Sequence, residues 1–472
     1  MRLVLAALAA LVVVPAASAG GPAMRVGVAE DAVRRTSLVE AKAQLGLLKL
    51  AGLDSVRVSS TWAPGLTAPP ADELTLLGNT VAGAALNALK VYVSVSQFGS
   101  KTTPLTDEDQ TAFAQYTAAV AEQFPSLAGI IVGNEPNLNR FWLPQFNDDG
   151  SDAAAPAYET LLAKTYDAVK AAQPAMRVIG GAVSPRGGDD PNSSRLTHSP
   201  TTFIKDFGLA YRATARTTPI MDAFGFHPYG DNSSQPPTFA HPNTTTIGLA
   251  DYAKLVSLLG IAFDGTAQAG STLPILYDEY GVESQIPAAK SALYTGTEPT
   301  TTKPTDEATQ GKYYAQALAL AFCQPNVEGV LLFHAFDEAN LAAWQSGVYY
   351  VDGTPKPSLP AVRTAAGQVR RGIIAHCDGL ELTPKLTFLN WPRTSQLRQH
   401  RMQTVISCDI DCRFDARVAS QHVTGVAMAG AKKTIAFPKK LAKGSYRVRL
   451  VLTAPVNTGP GLVRTSPLLR IP

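Results

Sequence analysis

The chain alternates short apolar runs with longer amphipathic stretches along most of its length. A bounded apolar run of about four to eight residues predicts a buried strand, and apolar residues spaced three or four apart predict a helix that faces the core. Strands that alternate with helices in this way are typical of a parallel α/β architecture. Eight strands are predicted: Met24 to Val28, Ser55 to Ser60, Lys90 to Ser96, Gly129 to Gly133, Arg177 to Val183, Ala223 to His227, Pro274 to Tyr277 and Gly329 to Phe333.

The count of eight favours one α/β arrangement, the closed (β/α)8 or TIM barrel. A doubly wound open sheet gives the same alternation and is the alternative. Helix ends can also be predicted: Ser37 and Glu40 have the spacing of a capping box, and Thr106 precedes another helix as its cap. We expect the last barrel helix to span Ser358 to Arg371.

After Cys377 the pattern changes to short runs of alternating apolar and polar residues, separated by turn residues. Such runs predict a small β-sandwich. The clearest of them are Thr404 to Ser407, Arg413 to Ala416 and Tyr446 to Leu452. We therefore expect a barrel over residues 20–376 and a small accessory domain over residues 377–472.

The N-terminus has the three parts of a secretory signal peptide in the right order. Arg2 supplies the charge, the run from Leu3 to Pro15 is apolar, and Ala17-Ser18-Ala19 forms a cleavage site of small residues. An uncleaved membrane anchor is the competing interpretation, but the run is shorter than the roughly 20 residues that a span requires. We expect cleavage after Ala19 and a secreted mature protein without a membrane span.

The composition indicates how large a core the chain can bury and which classes of partner it can bind. With 472 residues and 45% hydrophobic content, the chain can bury one large core and a second, smaller one. Only 17% of the residues are charged, the net charge is +3, and no run of five or more Lys or Arg residues occurs. A nucleic-acid partner therefore has no support, and we expect a neutral one.

Four cysteines in an exported chain favour disulfides. Of the three connectivities, Cys408 with Cys412 and Cys323 with Cys377 is the simplest. A metal site is weakly supported, because neither a Cys-x-x-Cys nor a His-x3-His pair accompanies them.

A glutamate follows each of two predicted strands: Glu135 lies two residues after the fourth strand and Glu279 two residues after the seventh. Residues at these strand ends build the site of a barrel. Hydrolysis of a glycosidic bond with retention takes two carboxyl groups about 5–5.5 Å apart, one protonated and one ionised. Asp278, which precedes Glu279, is the alternative for the second of these carboxyl groups. Asn134 and Glu135 can both face the site only if the strand breaks there.

The run Asn134-Glu135-Pro136, combined with Glu279 three strands later, resembles the signature of clan A glycoside hydrolases, loosely families 5, 39 and 51. The resemblance covers roughly residues 24 to 372. It implies a retaining (β/α)8 enzyme in which Glu135 is the general acid/base, Glu279 is the nucleophile, and Asn134 donates a hydrogen bond to the sugar hydroxyl beside the anomeric carbon. The implied substrate is a poly- or oligosaccharide, and no cofactor or metal is expected.

Two further residues are expected at the mouth from the sixth strand. There, Phe224 and Phe226 alternate with small residues, which directs the phenylalanines to the helices and His227 to the barrel interior. Tyr229 follows, and clan A enzymes commonly place a His or Tyr from this strand beside the nucleophile.

Arg57 alternates with two valines on the second strand, so that its guanidinium is expected inside the barrel, where it requires a carboxylate. By the resemblance that carboxylate is Glu279, and a structural ion pair elsewhere is the alternative. Trp142 and Trp344 lie in predicted loops, where their rings would stack on sugars or else pack in the core.

Two other functions stay open at this point. A catalytically silent sugar-binding barrel would keep the aromatic residues without needing both glutamates, and turnover of an aryl glycoside would exclude it. A metal-dependent hydrolase would use His227, His334 and nearby acids, and activity that survives chelation would exclude it.

Overall fold

The computed structural model describes residues 20–374, 383–454 and 461–472. The predicted signal peptide and Cys377 lie outside the described residues. Eight parallel strands form a closed barrel in chain order. They are β1 (Arg25–Ala29), β2 (Ser55–Trp62), β3 (Lys90–Gln97), β4 (Gly129–Val132), β5 (Val178–Val183), β6 (Ala223–Phe226), β7 (Ile275–Tyr280) and β8 (Val327–Phe333).

A helix follows each strand, as the apolar periodicity predicts. The helices are α1 (Leu38–Leu50), α2 (Ala71–Leu86), α3 (Asp107–Gln123), α4 (Ala154–Ala172), α5 (Pro200–Ala213), α6 (Tyr252–Phe263), α7 (Glu307–Phe322) and α8 (Leu359–Arg371). The TIM barrel is confirmed and the open sheet is wrong, because β1 pairs with β8 along its whole length, for example Val28 with Leu332.

The helix ends follow the sequence signals with one exception. Thr106 caps α3, since its side chain accepts a hydrogen bond from the Asp109 backbone N–H. Ser37 is the N-cap residue of α1, but its side chain makes no capping hydrogen bond, so the predicted capping box does not form.

Apolar side chains fill the lower part of the barrel interior. This interior cluster consists of Tyr92, Ile131, Ile179, Ala182, Ala223, Leu276 and Leu331. Phe224 and Phe226 belong instead to the larger core between strands and helices, as their alternation predicts. The barrel is therefore a packed core, and polar chemistry is confined to its C-terminal mouth.

The C-terminal region forms antiparallel sheets, and the predicted sandwich is confirmed. The sheets have the orders β13-β10-β9, β12-β11-β15-β16 and β14-β17. The elements are β9 (Leu386–Asn390), α9 (Thr394–Arg398), β10 (Gln403–Cys408), β11 (Cys412–Val418), β12 (Gln421–Ala427), β13 (Lys433–Ala436), β14 (Gly444–Tyr446), β15 (Arg449–Thr453), β16 (Leu462–Thr465) and β17 (Leu469–Ile471).

One predicted strand and one predicted disulfide of this region can be compared with the structure. The predicted strand from Tyr446 to Leu452 is two strands, β14 and β15, in separate sheets. The predicted disulfide between Cys408 and Cys412 is present. Among the described residues, no helix is long and apolar enough to cross a membrane.

The loops above β7 and β8 are held together by Lys356. Its buried ammonium pairs with Asp337 at 2.7 Å and donates to the Ser284 hydroxyl at 2.9 Å and the Gln345 carbonyl at 3.0 Å. Tyr294 donates to the other oxygen of Asp337. The run Gly353-Thr354-Pro355-Lys356-Pro357 thus carries the cation that ties these loops together.

We predict that Lys356→Met lowers the free energy of unfolding by about 3–5 kcal/mol, because it leaves the buried Asp337 carboxylate without its cation. The double variant Lys356→Met/Asp337→Asn should recover part of this loss, since it also removes the unpaired charge. Urea unfolding measures both. A double variant whose loss equals the sum of the two single losses would show that the pair is not coupled.

Candidate active site

Backbone breaks at two strand ends bring the candidate residues together. β4 ends at Val132, and Gly133 and Glu135 then adopt positive φ angles of 81° and 39°. Left-handed backbone is rare for residues other than glycine and is found often at functional sites. The Glu135 N–H donates to the Ala182 carbonyl at 2.9 Å, which fixes the turn. Asn134 and Glu135 can therefore both face the mouth.

A second irregularity turns two neighbours of β7 inward. The pairing of β7 with β8 shifts register between Tyr277 and Tyr280. As a result, Asp278 and Glu279 both approach Arg57, at 3.8 Å for Asp278 and in direct hydrogen-bond contact for Glu279. A regular strand would have placed them on opposite faces.

Arg57 connects the two strand ends. One Nη of its buried guanidinium bonds the Glu279 carboxylate, and the other donates to Asn134 Oδ1 and to Ser94 Oγ, both at 3.2 Å. Burial alone would lower the pKa of Arg57, but the charges of Glu279 and Asp278 raise it above the usual value. Arg57 is therefore a fixed cation beneath Glu279.

Glu279 is held as a carboxylate. Tyr229 donates its hydroxyl hydrogen to Oε2 of Glu279 at 2.9 Å, while Arg57 holds Oε1. Burial would raise the pKa of Glu279, but the charges of His227 and Arg57 keep the pKa below its usual value. Its side chain keeps 12% exposure, which leaves it accessible at the mouth.

His227 contacts all three carboxyl groups. Its Nδ1 lies 3.1 Å from Glu135 Oε1 and 3.5 Å from Glu279 Oε2, and its Nε2 lies 3.2 Å from Asp278 Oδ2. Burial would lower the pKa of His227, but the charges of Glu279 and Asp278 raise it to about 10. The imidazolium is thus a second fixed cation, between the two candidate catalytic residues.

Asp278 lies below this cluster and is completely buried. Burial would raise its pKa, but His227 and Arg57 hold the pKa below the usual value. An added Cβ at Gly225 would lie 3.0 Å from Asp278 Oδ1, so the glycine makes room for this carboxylate. Full burial separates Asp278 from any ligand in the mouth, which favours Glu279 as the attacking group.

The two tryptophans differ in their surroundings. The ring of Trp344 is partly exposed and lies 5.2 Å from the Tyr229 ring and 5.2 Å from the Phe333 ring, beside the site. Trp142 is only 1% exposed and packs edge-on against Tyr158 in the core. This burial agrees with the core packing that the sequence left open for Trp142, and its sugar contact stays a prediction.

Several polar residues beyond the predicted set lie after the barrel strands. Arg186 follows β5, and its guanidinium contacts the Gly230 carbonyl and lies 3.8 Å from Asp231. Asp231 in turn accepts from His241, which also bonds Asp251. Burial lowers the pKa of Arg186, and the charges of Asp231 and Glu135 oppose this effect. The rule that strand-end residues form the site would have identified Arg186.

His334 and Glu30 lie at the ends of β8 and β1. His334 Nδ1 is 3.0 Å from the Ala29 carbonyl, and Glu30 accepts backbone hydrogen bonds from Ala335 and Phe336. These contacts join the first and last strands. In the part of the chain that the structure describes, no group of three or more His, Cys, Asp or Glu side chains is arranged to hold a metal ion.

We predict that the stabilising effect of His227 depends on pH. Its pKa is about 10 in the folded protein and about 6.5 in an unfolded chain. A raised pKa contributes stability fully below pH 6.5, and this contribution is lost as the pH rises through 10. The loss of unfolding free energy in His227→Gln should therefore be largest near pH 6 and shrink toward pH 10, as measured by urea unfolding.

His400→Gln is the matched control, because among the described residues the His400 ring bonds only a neutral group, the Leu441 carbonyl in the C-terminal domain. Its effect on the free energy of unfolding near pH 6 should be smaller than that of His227→Gln. A loss in His227→Gln that stays constant up to pH 10 would contradict the charge assigned to His227.

No protein-family model and no curated protein sequence matches the chain. It is similar in structure to a family 39 glycoside hydrolase from the gut symbiont Bacteroides cellulosilyticus WH2, with a TM-score of 0.54 and 14% identity over 95% of this chain and 80% of that one. It is also similar to GH5_18 from Streptomyces cattleya, with a TM-score of 0.52 and 17% identity over 78% of this chain and 84% of that one. These similarities confirm the expected resemblance to clan A glycoside hydrolases at the level of the fold.

Proposed function

We propose that this protein is a retaining glycoside hydrolase that cleaves O-glycosidic bonds of a poly- or oligosaccharide by double displacement. Glu279 is the nucleophile and Glu135 is the general acid/base. The observation that carries the proposal is the environment of Glu279, whose carboxylate is fixed by Arg57 and Tyr229 and kept ionised at an accessible position. Residues 1–19 direct the protein out of the cell.

The separation of the two glutamates supports retention. His227 Nδ1 lies 3.1 Å from one carboxyl group and 3.5 Å from the other, so their nearest oxygen atoms are no further apart than these two distances combined. The two carboxyl groups are about 5–5.5 Å apart in retaining enzymes, which this upper limit allows. They are about 6.5–9.5 Å apart in inverting enzymes, and the limit reaches only the lower end of that range. The site thus has room for direct attack by Glu279 rather than for an intervening water.

In the first step Glu135 donates its proton to the glycosidic oxygen while a Glu279 oxygen attacks the anomeric carbon. The bond from that carbon to the leaving group breaks, and a glycosyl ester forms on Glu279. In the second step Glu135 accepts a proton from water, the water oxygen attacks the same carbon, and the ester bond breaks. Glu279 returns as a carboxylate, and Glu135 is protonated again.

The neighbouring residues assist these steps. Arg57 and Tyr229 stabilise the Glu279 carboxylate when it leaves the anomeric carbon. Asn134 is oriented by Arg57 through its Oδ1, so its amide N–H groups remain free to bind the sugar hydroxyl beside that carbon. Trp344 forms a wall against which a sugar ring stacks.

The function is tested by the stereochemistry of the first product. Purified protein is screened on a panel of aryl glycosides and polysaccharides, and the best substrate is followed by proton NMR. Two inversions at one carbon must give a first product with the anomeric configuration of the substrate. The opposite anomer would overturn the retaining mechanism, and no turnover on any panel member would support a sugar-binding barrel instead.

Variants assign the two roles within the same experiment. Glu135→Ala should lower kcat/KM by about 10²- to 10⁴-fold on substrates whose leaving group needs a proton. On an activated aryl glycoside azide should raise its kcat, because azide attacks the glycosyl ester without needing a base. Glu279→Ala should lose turnover without such rescue of hydrolysis. Glu122→Ala is the matched control and should keep activity, because Glu122 is exposed near the C-terminal end of α3, the helix end that lies opposite the mouth.

A separate prediction concerns the acidic limb of the pH–rate profile, which Glu279 sets because it must be ionised. Tyr229→Phe removes one hydrogen bond to that carboxylate, so the pKa of Glu279 rises and the acidic limb moves to higher pH. The pH dependence of kcat/KM measures this shift. The alkaline limb should stay where it is, and an unchanged acidic limb would show that Tyr229 does not stabilise the ionised form.

A further inference from the structure

The small net charge conceals two oppositely charged domains. Residues 20–374 contain 25 Lys or Arg and 33 Asp or Glu residues, a formal charge of −8, whereas residues 383–472 contain 15 basic and 3 acidic residues, a formal charge of +12. A charge asymmetry of this size indicates an anionic partner for the basic part of a chain.

All fifteen cations of the C-terminal domain are exposed. They are Lys385, Arg393, Arg398, Arg401, Arg413, Arg417, Lys432, Lys433, Lys439, Lys440, Lys443, Arg447, Arg449, Arg464 and Arg470. The acids offset few of them: Asp411 is buried and pairs with Arg371 of the barrel, and Asp415 pairs with Arg417 and His422. Among the described residues, most of this positive charge is therefore not offset by an acid.

One groove collects part of this charge. It measures about 300 Å³ and is lined by Arg401, Met402, Gln403, Phe437, Pro438, Lys439 and Lys440. Within the described ranges, none of its three cations forms an ion pair. Its frame is built from backbone, since Phe437 N–H donates to the Met402 carbonyl and Lys439 is bonded at both its N–H and its carbonyl to the Gln421 side chain.

A second recess, of about 360 Å³, lies on the outer face of the sheet β12-β11-β15-β16 and offers a comparison. Its lining includes Arg413, but also Asp415 and the apolar Val426 and Val451. The exposed apolar residues Val426 and Val463 belong to this sheet and not to the groove. The groove is thus the better site for a polyanion, since it combines three cations with no acid.

We propose that this groove, which we call the Arg401 groove, binds an anionic polysaccharide and anchors the enzyme to it. The barrel carries a net negative charge and would repel the same anionic polymer. The groove and the active site therefore bind different polysaccharide components of the same material. Binding of a polyanion rests on the charges alone, while the choice of a polysaccharide also rests on the proposed function.

Other polyanions fit the domain less well. Reading duplex DNA with a helix in the major groove has no support, because the one helix described in this domain, α9, has only five residues. Insertion into a membrane requires apolar side chains beside the cations, and the groove offers none that is exposed apart from Pro438. A carbohydrate chain needs only cations and hydrogen-bond donors such as the Gln403 amide.

The test uses the full chain and polygalacturonate as the probe, with neutral dextran for comparison. Calorimetry or retention on the immobilised polymer should show binding to polygalacturonate, and the dissociation constant should rise about tenfold between 50 and 200 mM NaCl as counterions compete. Equal binding to dextran, or affinity that does not change with salt, would overturn the proposal.

Two triple variants locate the site. Arg401→Gln/Lys439→Gln/Lys440→Gln should weaken binding at 50 mM NaCl by about tenfold or more. The matched control removes the same charge from the other sheet, as Arg413→Gln/Arg449→Gln/Arg464→Gln, and should weaken binding by less than about threefold. Equal losses in the two variants would refute the groove as the site.

Two comparisons distinguish this proposal from binding of other polyanions and from the proposed glycosidase function. Tighter binding at equal salt to vesicles of phosphatidylglycerol or to duplex DNA than to polygalacturonate would overturn the assignment to a polysaccharide. Both triple variants should hydrolyse a small aryl glycoside as the parent does, because none of the substituted residues lies in the barrel. Failure of hydrolysis in the parent with binding intact would refute the proposed function and leave a polyanion-binding groove.

Discussion

The ion pair between Arg57 and Glu279 is the interaction on which the site depends. Arg57 is buried on the second strand, and a buried guanidinium must be matched by charge and hydrogen-bond acceptors. Glu279, Asn134 and Ser94 supply them from three other strands or strand ends. The break after β4 and the register shift in β7 are the backbone features that make these contacts possible.

His227 extends the same electrostatic arrangement to the acid/base side. Two cations, Arg57 and His227, lie against two carboxylates, Asp278 and Glu279, whose pKa values are lowered. The two positive charges therefore balance the two negative ones. Because the lower barrel is filled with apolar side chains, these groups can meet a ligand only at the mouth.

The sequence was sufficient for the barrel and for the inward placement of Arg57 and His227, because burial imposes apolar runs on strands and their alternation decides which face a side chain occupies. It could not predict that the fourth strand would break through positive φ angles at Gly133 and Glu135. The sequence also could not predict that Trp142 would be buried, because the position of its ring depends on a tertiary contact with Tyr158.

The central claim is that Glu279, held ionised by Arg57, attacks the anomeric carbon. It is tested most directly by reaction with an activated 2-deoxy-2-fluoro glycoside that matches the best aryl substrate, followed by peptide mass spectrometry. The account predicts one label per chain, as an ester on Glu279, that forms with loss of activity. Labelling of Asp278, or loss of activity without a covalent adduct on β7, would contradict it.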